Sequence, residues 1–178
     1  MRIEKILLID DSKEILETLS EYLRGEGYEV DTSSNGASGI LMIEKKFYDI
    51  VLTDMMMPGV DGMEVLKYIK ANSPESLCIV LTGYGTIKNA VEAIKSGAFD
   101  YLAKPVKLDE IQIALQRAIE HRNLKRENIN LRNQLKRKYR FENIIGDSES
   151  IGKVFETIEK VADTDSTILV LGESGTGK

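Results

Sequence analysis

A chain of 178 residues is long enough for one large domain, or for one domain of ordinary size with an appended segment. The apolar fraction of 42% supports a packed core, and the formal net charge of −5 argues against nucleic-acid binding by bulk electrostatics. The single cysteine, Cys78, excludes an internal disulfide framework. No apolar run approaches the ~18 residues of a membrane helix, and no signal-peptide core is present. We therefore expect a cytoplasmic protein without membrane contact.

Five short apolar runs alternate with amphipathic segments over the first 120 residues. Continuous β-branched and Leu residues without alternation predict strands that are buried on both faces. Periodic apolar residues between them predict helices. The predicted strands are 5–9, 28–33, 50–54, 78–81 and 99–103, and the predicted helices begin near 12, 37, 61, 87 and 108. This alternation predicts an α/β fold with a doubly wound parallel sheet, for which we adopt the strand order 2-1-3-4-5.

A long basic helix is predicted from Leu108 to about Phe141, where Arg117 to Arg140 contains nine Lys/Arg and two Glu. We expect Leu108, Ile111, Leu115 and Ile119 to pack on the sheet. Further along, three leucines and one asparagine follow the spacing of a parallel two-helix seam. They are Leu124, Asn128, Leu131 and Leu135. A solvated basic helix is the alternative interpretation. Nucleic-acid binding is less favoured, because Tyr139 is the only aromatic residue in the run.

The last 38 residues carry a different pattern. An amphipathic helix is predicted over 149–162 and a buried strand over 167–171. The strand leads into a G-x-x-x-x-G-K string, in which backbone N–H groups and the lysine would contact phosphates. The string is Gly172, Glu173, Ser174, Gly175, Thr176, Gly177 and Lys178. Because the following residue and helix are missing from the sequence, we expect no useful nucleotide binding and no ATPase activity by this chain.

Charged and hydroxyl residues stand where the predicted strands end: Asp10, Asp11, Asp54, Thr82 and Lys104. Neighbouring first and third strands would bring three carboxylates into one concavity. Two charges about 4 Å apart repel by roughly 4 kcal/mol at an effective dielectric near 20. Such a cluster favours a cation, and oxygen ligands suit Mg²⁺. Helix capping or loop solvation explains any one of these residues, but five on one rim favour a shared site.

Asp54 is the candidate nucleophile of that site. Lys104 and the Thr82 hydroxyl are suited to the oxygens of a transferred phosphoryl group. The predicted chemistry is therefore phosphoryl transfer to Asp54. A phosphatase with an Asp nucleophile is the alternative enzyme, but it usually needs a second Asp two residues after a first-strand nucleophile. The sequence Asp10-Asp11-Ser12 lacks that spacing.

Residues 1–120 resemble the receiver domain of a two-component response regulator, which has a flavodoxin-like fold. The resemblance rests on Asp10-Asp11, the string from Thr53 to Gly62, the strand end at Thr82-Gly83 and Gly97 to Pro105. It implies that Asp54 is the phospho-acceptor and that a sensor histidine kinase is the donor. Mg²⁺ would bind Asp11, Asp54 and the Met56 carbonyl, with Asp10 acting through water. Thr82 and Tyr101 would form the switch pair, and the Lys104-Pro105 peptide would be cis.

Residues 141–178 resemble the start of the AAA+ ATPase domain of sigma-54-dependent activators, the nitrogen-regulatory-protein-C class. The implied organisation is a receiver domain (1–120), a coiled-coil linker helix (121–140) and a truncated ATPase domain (141–178). The expected homodimer uses the fourth helix, fifth strand and fifth helix together with the linker. ATP, sigma-54 RNA polymerase and DNA would bind only the full-length parent. We expect this chain to be a regulatory protein and not an enzyme.

Overall fold

The computed structural model describes residues 3–83, 87–139 and 148–162, together with 167 and 169. Five parallel strands form a single sheet in the order β2-β1-β3-β4-β5, so the predicted fold class and strand order are confirmed. The strands are β1 (Lys5–Ile9), β2 (Glu29–Ser33), β3 (Ile50–Asp54), β4 (Leu77–Thr82) and β5 (Asp100–Ala103). The helices are α1 (Lys13–Gly25), α2 (Gly36–Lys45), α3 (Gly62–Asn72), α4 (Ile87–Lys95), α5 (Leu108–Tyr139) and α6 (Glu149–Val161).

Both faces of the sheet are covered, which explains the continuous apolar strands. Because successive strand side chains point to opposite faces, Ile6 and Leu8 pack with α1 and α5. Leu7 and Ile9 pack with residues of α2 and α3 and with Ala93 of α4. The three central strands β1, β3 and β4 are almost completely buried. The carboxyl ends of β1 and β3 are adjacent, since Ile9 is paired with Thr53.

Side-chain caps mark the starts of α1, α2 and α3. The Ser12 hydroxyl accepts from Ile15 N–H at the start of α1, and the Asn35 side chain accepts from Ser38 N–H at the start of α2. Asp61 and Glu64 form a reciprocal capping box at the start of α3. These caps fix the helix starts close to the strand ends.

Three apolar residues of the fourth and fifth helices are exposed. Leu108 was expected to pack on the sheet, but it is 38% exposed because it is the first residue of α5. The fourth helix buries Ala93, whereas Val91 and Ile94 are each 44% exposed. Ile111 and Leu115 pack on the sheet as predicted.

The chain forms two compact units, Met1–Leu124 and Lys125–Lys178. The first unit contains the sheet with α1 to α4 and the packed part of α5. The second contains the remainder of α5 and α6, whose N-cap is Ser148. The predicted strand over 167–171 lies largely outside the described residues, and the glycine-rich string from Gly172 to Lys178 lies wholly outside them. In the described part of the chain, no helix combines the length and apolarity needed to cross a membrane.

Candidate functional site

Three carboxylates meet where β1 and β3 end. Asp10 follows β1 and is completely buried, Asp54 ends β3 and is buried, and Asp11 is exposed. Each offers an oxygen atom, and these atoms all lie within 4.8 Å of one another. The predicted convergence of the two strand ends is therefore present. Within the described ranges, this is also the one group of three or more acidic, His or Cys side chains close enough to share a metal ion.

The Lys104 ammonium lies between two of these carboxylates. Its Nζ is 2.6 Å from Asp10 Oδ2 and 2.8 Å from Asp54 Oδ2. Lys104 follows β5, its backbone N–H donates to the Thr82 carbonyl at 2.8 Å, and the Lys104–Pro105 peptide bond is cis. Among the described residues, Asp10 Oδ2 has no polar partner other than this ammonium. A single lysine thus balances two carboxylates of the cluster.

Burial and the ion pairs act against each other at this site. Burial raises the pKa of Asp10, although the Lys104 ammonium and the Ser12 N–H, which donates at 3.0 Å, oppose the increase. Burial disfavours the charge on Lys104, yet the bonds to Asp10 and Asp54 outweigh it and the pKa of Lys104 is raised. The Lys104 ammonium therefore keeps its proton firmly, whereas the ionised form of the Asp10 carboxyl is disfavoured by its burial.

The donor set fits a divalent cation. Its carboxylate oxygens are hard ligands, and the exposure of Asp11 leaves room for water. The desolvated Asp10 and Asp54 share only one positive charge in the described structure, so additional positive charge is electrostatically favourable. The residues present are therefore compatible with a divalent cation such as Mg²⁺.

The other predicted residues of this site are Thr82, Met56 and Tyr101. Thr82 is buried at the end of β4, next to β3 in the sheet. The Met56 N–H donates to Asp54 Oδ1 at 3.4 Å, and the Met56 side chain is 65% exposed. Tyr101 lies on β5 with a side chain that is 41% exposed. The structure therefore brings Thr82 and Met56 to the same rim and leaves Tyr101 facing outward.

A close backbone approach at Gly62 was missed by the sequence reasoning. A Cβ at this position would lie 2.1 Å from the Asp54 carbonyl oxygen. The Gly62 N–H also donates to the Met55 carbonyl at 3.1 Å. The first turn of α3 is thereby held directly against the residue that ends β3. A glycine immediately after the helix cap Asp61 is the sequence signal that could have identified this contact.

The fold and the site define the class of doubly wound α/β proteins with an acidic centre at the carboxyl ends of the parallel strands. The family model of the response regulator receiver domain matches residues 6–116, and the chain belongs to this family. The model of the sigma-54 interaction domain matches residues 144–178. The resemblance to a sigma-54-dependent response regulator, stated from the sequence, is confirmed.

Several named regulators resemble the chain along nearly its whole length. The transcriptional regulatory protein ZraR of Klebsiella oxytoca is 37% identical over 173 residues, covering 97% of this chain and 38% of ZraR. The regulatory protein AtoC of Escherichia coli is 32% identical over 176 residues, covering 99% of this chain and 38% of AtoC. The chain thus spans about 38% of the length of these relatives.

Solved structures give the same result. A response regulator receiver domain from Clostridium thermocellum is 41% identical and superposes with a TM-score of 0.65, covering 68% of this chain and 98% of that domain. NtrX from Brucella abortus is 34% identical with a TM-score of 0.71, covering 94% of this chain and 36% of NtrX.

Proposed function

We propose that the chain is the phosphorylation-controlled part of a sigma-54-dependent response regulator, in which Asp54 accepts a phosphoryl group from a sensor histidine kinase. The observation that carries the proposal is the position of Asp54 beside Asp10, Asp11 and the ammonium of Lys104. Family membership supports the regulatory role. As a regulator of transcription, it would act in the cytoplasm.

Asp54 is suited to nucleophilic attack because each of its two carboxylate oxygens has a partner that fixes its orientation. Lys104 binds Oδ2, and the Met56 N–H orients Oδ1. In the proposed step, a carboxylate oxygen of Asp54 forms a bond to phosphorus while the bond from phosphorus to the kinase histidine nitrogen breaks. The Lys104 ammonium and the Thr82 hydroxyl then donate to phosphoryl oxygens. The released histidine retains the electron pair of the broken bond.

The residues proposed to hold Mg²⁺ are Asp11, Asp54 and the Met56 carbonyl, with Asp10 acting through water. When bound, the ion supplies positive charge that offsets the carboxylates and the incoming phosphoryl group. The proposal is supported by the donor set and by the shortage of positive charge around Asp10 and Asp54.

The proposed readout is a change in how two chains associate. Capture of the Thr82 hydroxyl by the phosphoryl group would open space into which Tyr101 turns, altering the surface formed by α4, β5 and α5. That surface carries exposed apolar residues and a cavity of about 350 Å³ between β5 and α5. The exposed residues are Val91, Ile94, Tyr101, Leu108 and Ile113. A homodimer on this surface would continue through the linker helix.

The proposed domain organisation is a receiver over 1–120, a coiled-coil linker over 121–140 and the first part of an AAA+ ATPase domain over 141–178. In this arrangement, the receiver controls whether ATPase domains assemble. The chain spans 38% of relatives such as ZraR, so sigma-54 RNA polymerase, DNA and ATP are assigned to the full-length protein. The chain itself accepts a phosphoryl group and does not turn over a substrate.

Phosphate incorporation tests the assignment of Asp54. With labelled acetyl phosphate and Mg²⁺, the wild-type chain should take up at most one phosphate and then lose it slowly. Asp54→Asn should take up none. Asp109→Asn, which changes an exposed aspartate in the first turn of α5, is the matched control and should behave like the wild type. Undiminished labelling of Asp54→Asn, or release of phosphate by that variant at the wild-type rate, would exclude the proposal.

A further inference from the structure

A buried ion pair lies at the amino-terminal end of the sheet, opposite the acidic cluster. Arg122 Nη2 is 2.6 Å from Asp49 Oδ1. The Asp49 side chain is completely buried, and that of Arg122 is 10% exposed. Asp49 immediately precedes β3, and Arg122 lies on α5. The pair has no part in the phosphoryl-transfer site and was not predicted from the sequence.

Asp49 is fixed to the sheet by several bonds. Its second carboxylate oxygen, Oδ2, accepts from the Lys5 N–H at 2.7 Å, and its own N–H donates to the Lys5 carbonyl at 2.8 Å. Its carbonyl accepts from the Leu77 N–H at 3.1 Å. Asp49 thus joins the starts of β1, β3 and β4, and provides a rigid anchor for whatever binds Oδ1.

Arg122 marks the point at which α5 stops packing on the sheet. Ala114, Leu115 and Ala118 are buried on α5, and Arg122 is the last buried residue of the helix among those whose burial is described. All ten residues from 123 to 132 are exposed. One residue before Arg122, the ring of His121 contacts that of Phe99, with centroids 5.5 Å apart. The last buried contact between α5 and the sheet, among the residues whose burial is described, is therefore the ion pair of Arg122 with Asp49.

We propose that the Asp49–Arg122 ion pair is a positioning contact that fixes where the linker helix leaves the receiver and transmits the state of the receiver to that helix. The inference rests on the proposed function. Asp49 immediately precedes the five-residue strand β3 and Asp54 is its last residue, so the anchor and the phospho-acceptor share one rigid element. A helix held only by apolar contacts at this point could rotate or slide by small steps, whereas a short charged contact between two buried groups selects one position.

Hydrogen exchange tests the positioning role in the full 178-residue chain without phosphorylation. Amides of α5 between 115 and 126 should exchange about ten-fold faster in Arg122→Gln and in the double variant Asp49→Asn/Arg122→Gln, while amides of α1 and α3 keep wild-type rates. Arg122→Lys, which retains the charge, should restore most of the protection. Lys107→Gln, which removes an exposed ion pair between the residue preceding α5 and Glu110 in its first turn, should change nothing.

Transmission is tested by light scattering with and without a beryllofluoride phosphoryl mimic. The Arg122→Gln variant should bind the mimic as the wild type does but lose at least half of the wild-type change in association state. Unchanged exchange in α5, or faster exchange spread equally over α1 and α3, overturns the positioning role. A full association response in the variant overturns transmission. If the association state of the wild type does not change with the mimic, the proposed function is wrong. The hydrogen-exchange experiment then still tests whether the Asp49–Arg122 pair positions α5.

Discussion

Lys104 Nζ lies 2.8 Å from Asp54 Oδ2, so the proposed phospho-acceptor is already paired with a cation before any phosphate or metal arrives. The same ammonium is bound to Asp10. Lys104 therefore stabilises the unphosphorylated cluster as well as being placed to contact a phosphoryl group.

Replacing Lys104 by Met should destabilise the metal-free chain by about 3 kcal/mol, because Asp10 and Asp54 lose their buried counter-ion. Mg²⁺ should then stabilise the variant more than the wild type. For the wild type, Mg²⁺ at ten times its dissociation constant should add about 1.4 kcal/mol. Urea unfolding with and without Mg²⁺ measures both effects. An equal effect of Mg²⁺ on the two proteins would show that Lys104 and the ion do not balance the same carboxylates.

Replacing Asp10 by Asn should raise the free energy of unfolding at pH 7, because burial raises the pKa of the Asp10 carboxyl above its ordinary value of 3.8. The folded state therefore holds the Asp10 proton more tightly, and wild-type stability falls as the pH rises from 3.8 through the raised pKa. The advantage of Asp10→Asn should accordingly shrink as the pH is lowered towards 4. Unfolding curves at several pH values check this, with the exposed Asp11→Asn as control. A constant difference between Asp10→Asn and wild type across that range would contradict the interpretation.

Gly62→Ala should destabilise the protein by about 1–3 kcal/mol, because the new Cβ would meet the Asp54 carbonyl oxygen and force the β3 end or α3 to move. Labelling of Asp54 by acetyl phosphate should fall as well. The control is Gly25→Ala in α1, where a Cβ would find no atom within 4 Å, and which should be neutral or slightly stabilising. Normal stability and labelling of Gly62→Ala would show that the loop adapts freely.

The linker seam can be separated from a merely solvated helix by two matched substitutions. Leu131 lies on the predicted seam and is 51% exposed, whereas Ile129 lies off it and is 48% exposed. Leu131→Ser should weaken self-association about ten-fold, and Ile129→Ser should leave it unchanged. Sedimentation equilibrium measures both association constants. Equal behaviour of the two variants would favour the solvated basic helix.

The parallel sheet was predictable from the sequence, and so was the convergence of Asp10, Asp11 and Asp54 once the strand order 2-1-3-4-5 was adopted. Buried parallel strands have an unmistakable continuous apolar pattern, and their carboxyl ends must lie on one edge of the sheet. Helix starts were predictable for a similar reason, because residues such as Ser12 and Asp61 cap them through local contacts. Local patterns repeated along the chain are enough for both.

Only the tertiary structure revealed the contacts between residues far apart in sequence. The pairing of Asp49 with Arg122 depends on where α5 crosses the sheet, and a lone Asp or Arg gives no sign of its partner. Likewise, only the structure shows that Ala93 of α4 is buried while Val91 and Ile94 on the same helix are exposed. Sequence periodicity says that a helix has an apolar side, but the packing of neighbouring elements decides how much of that side is covered and which charges become buried.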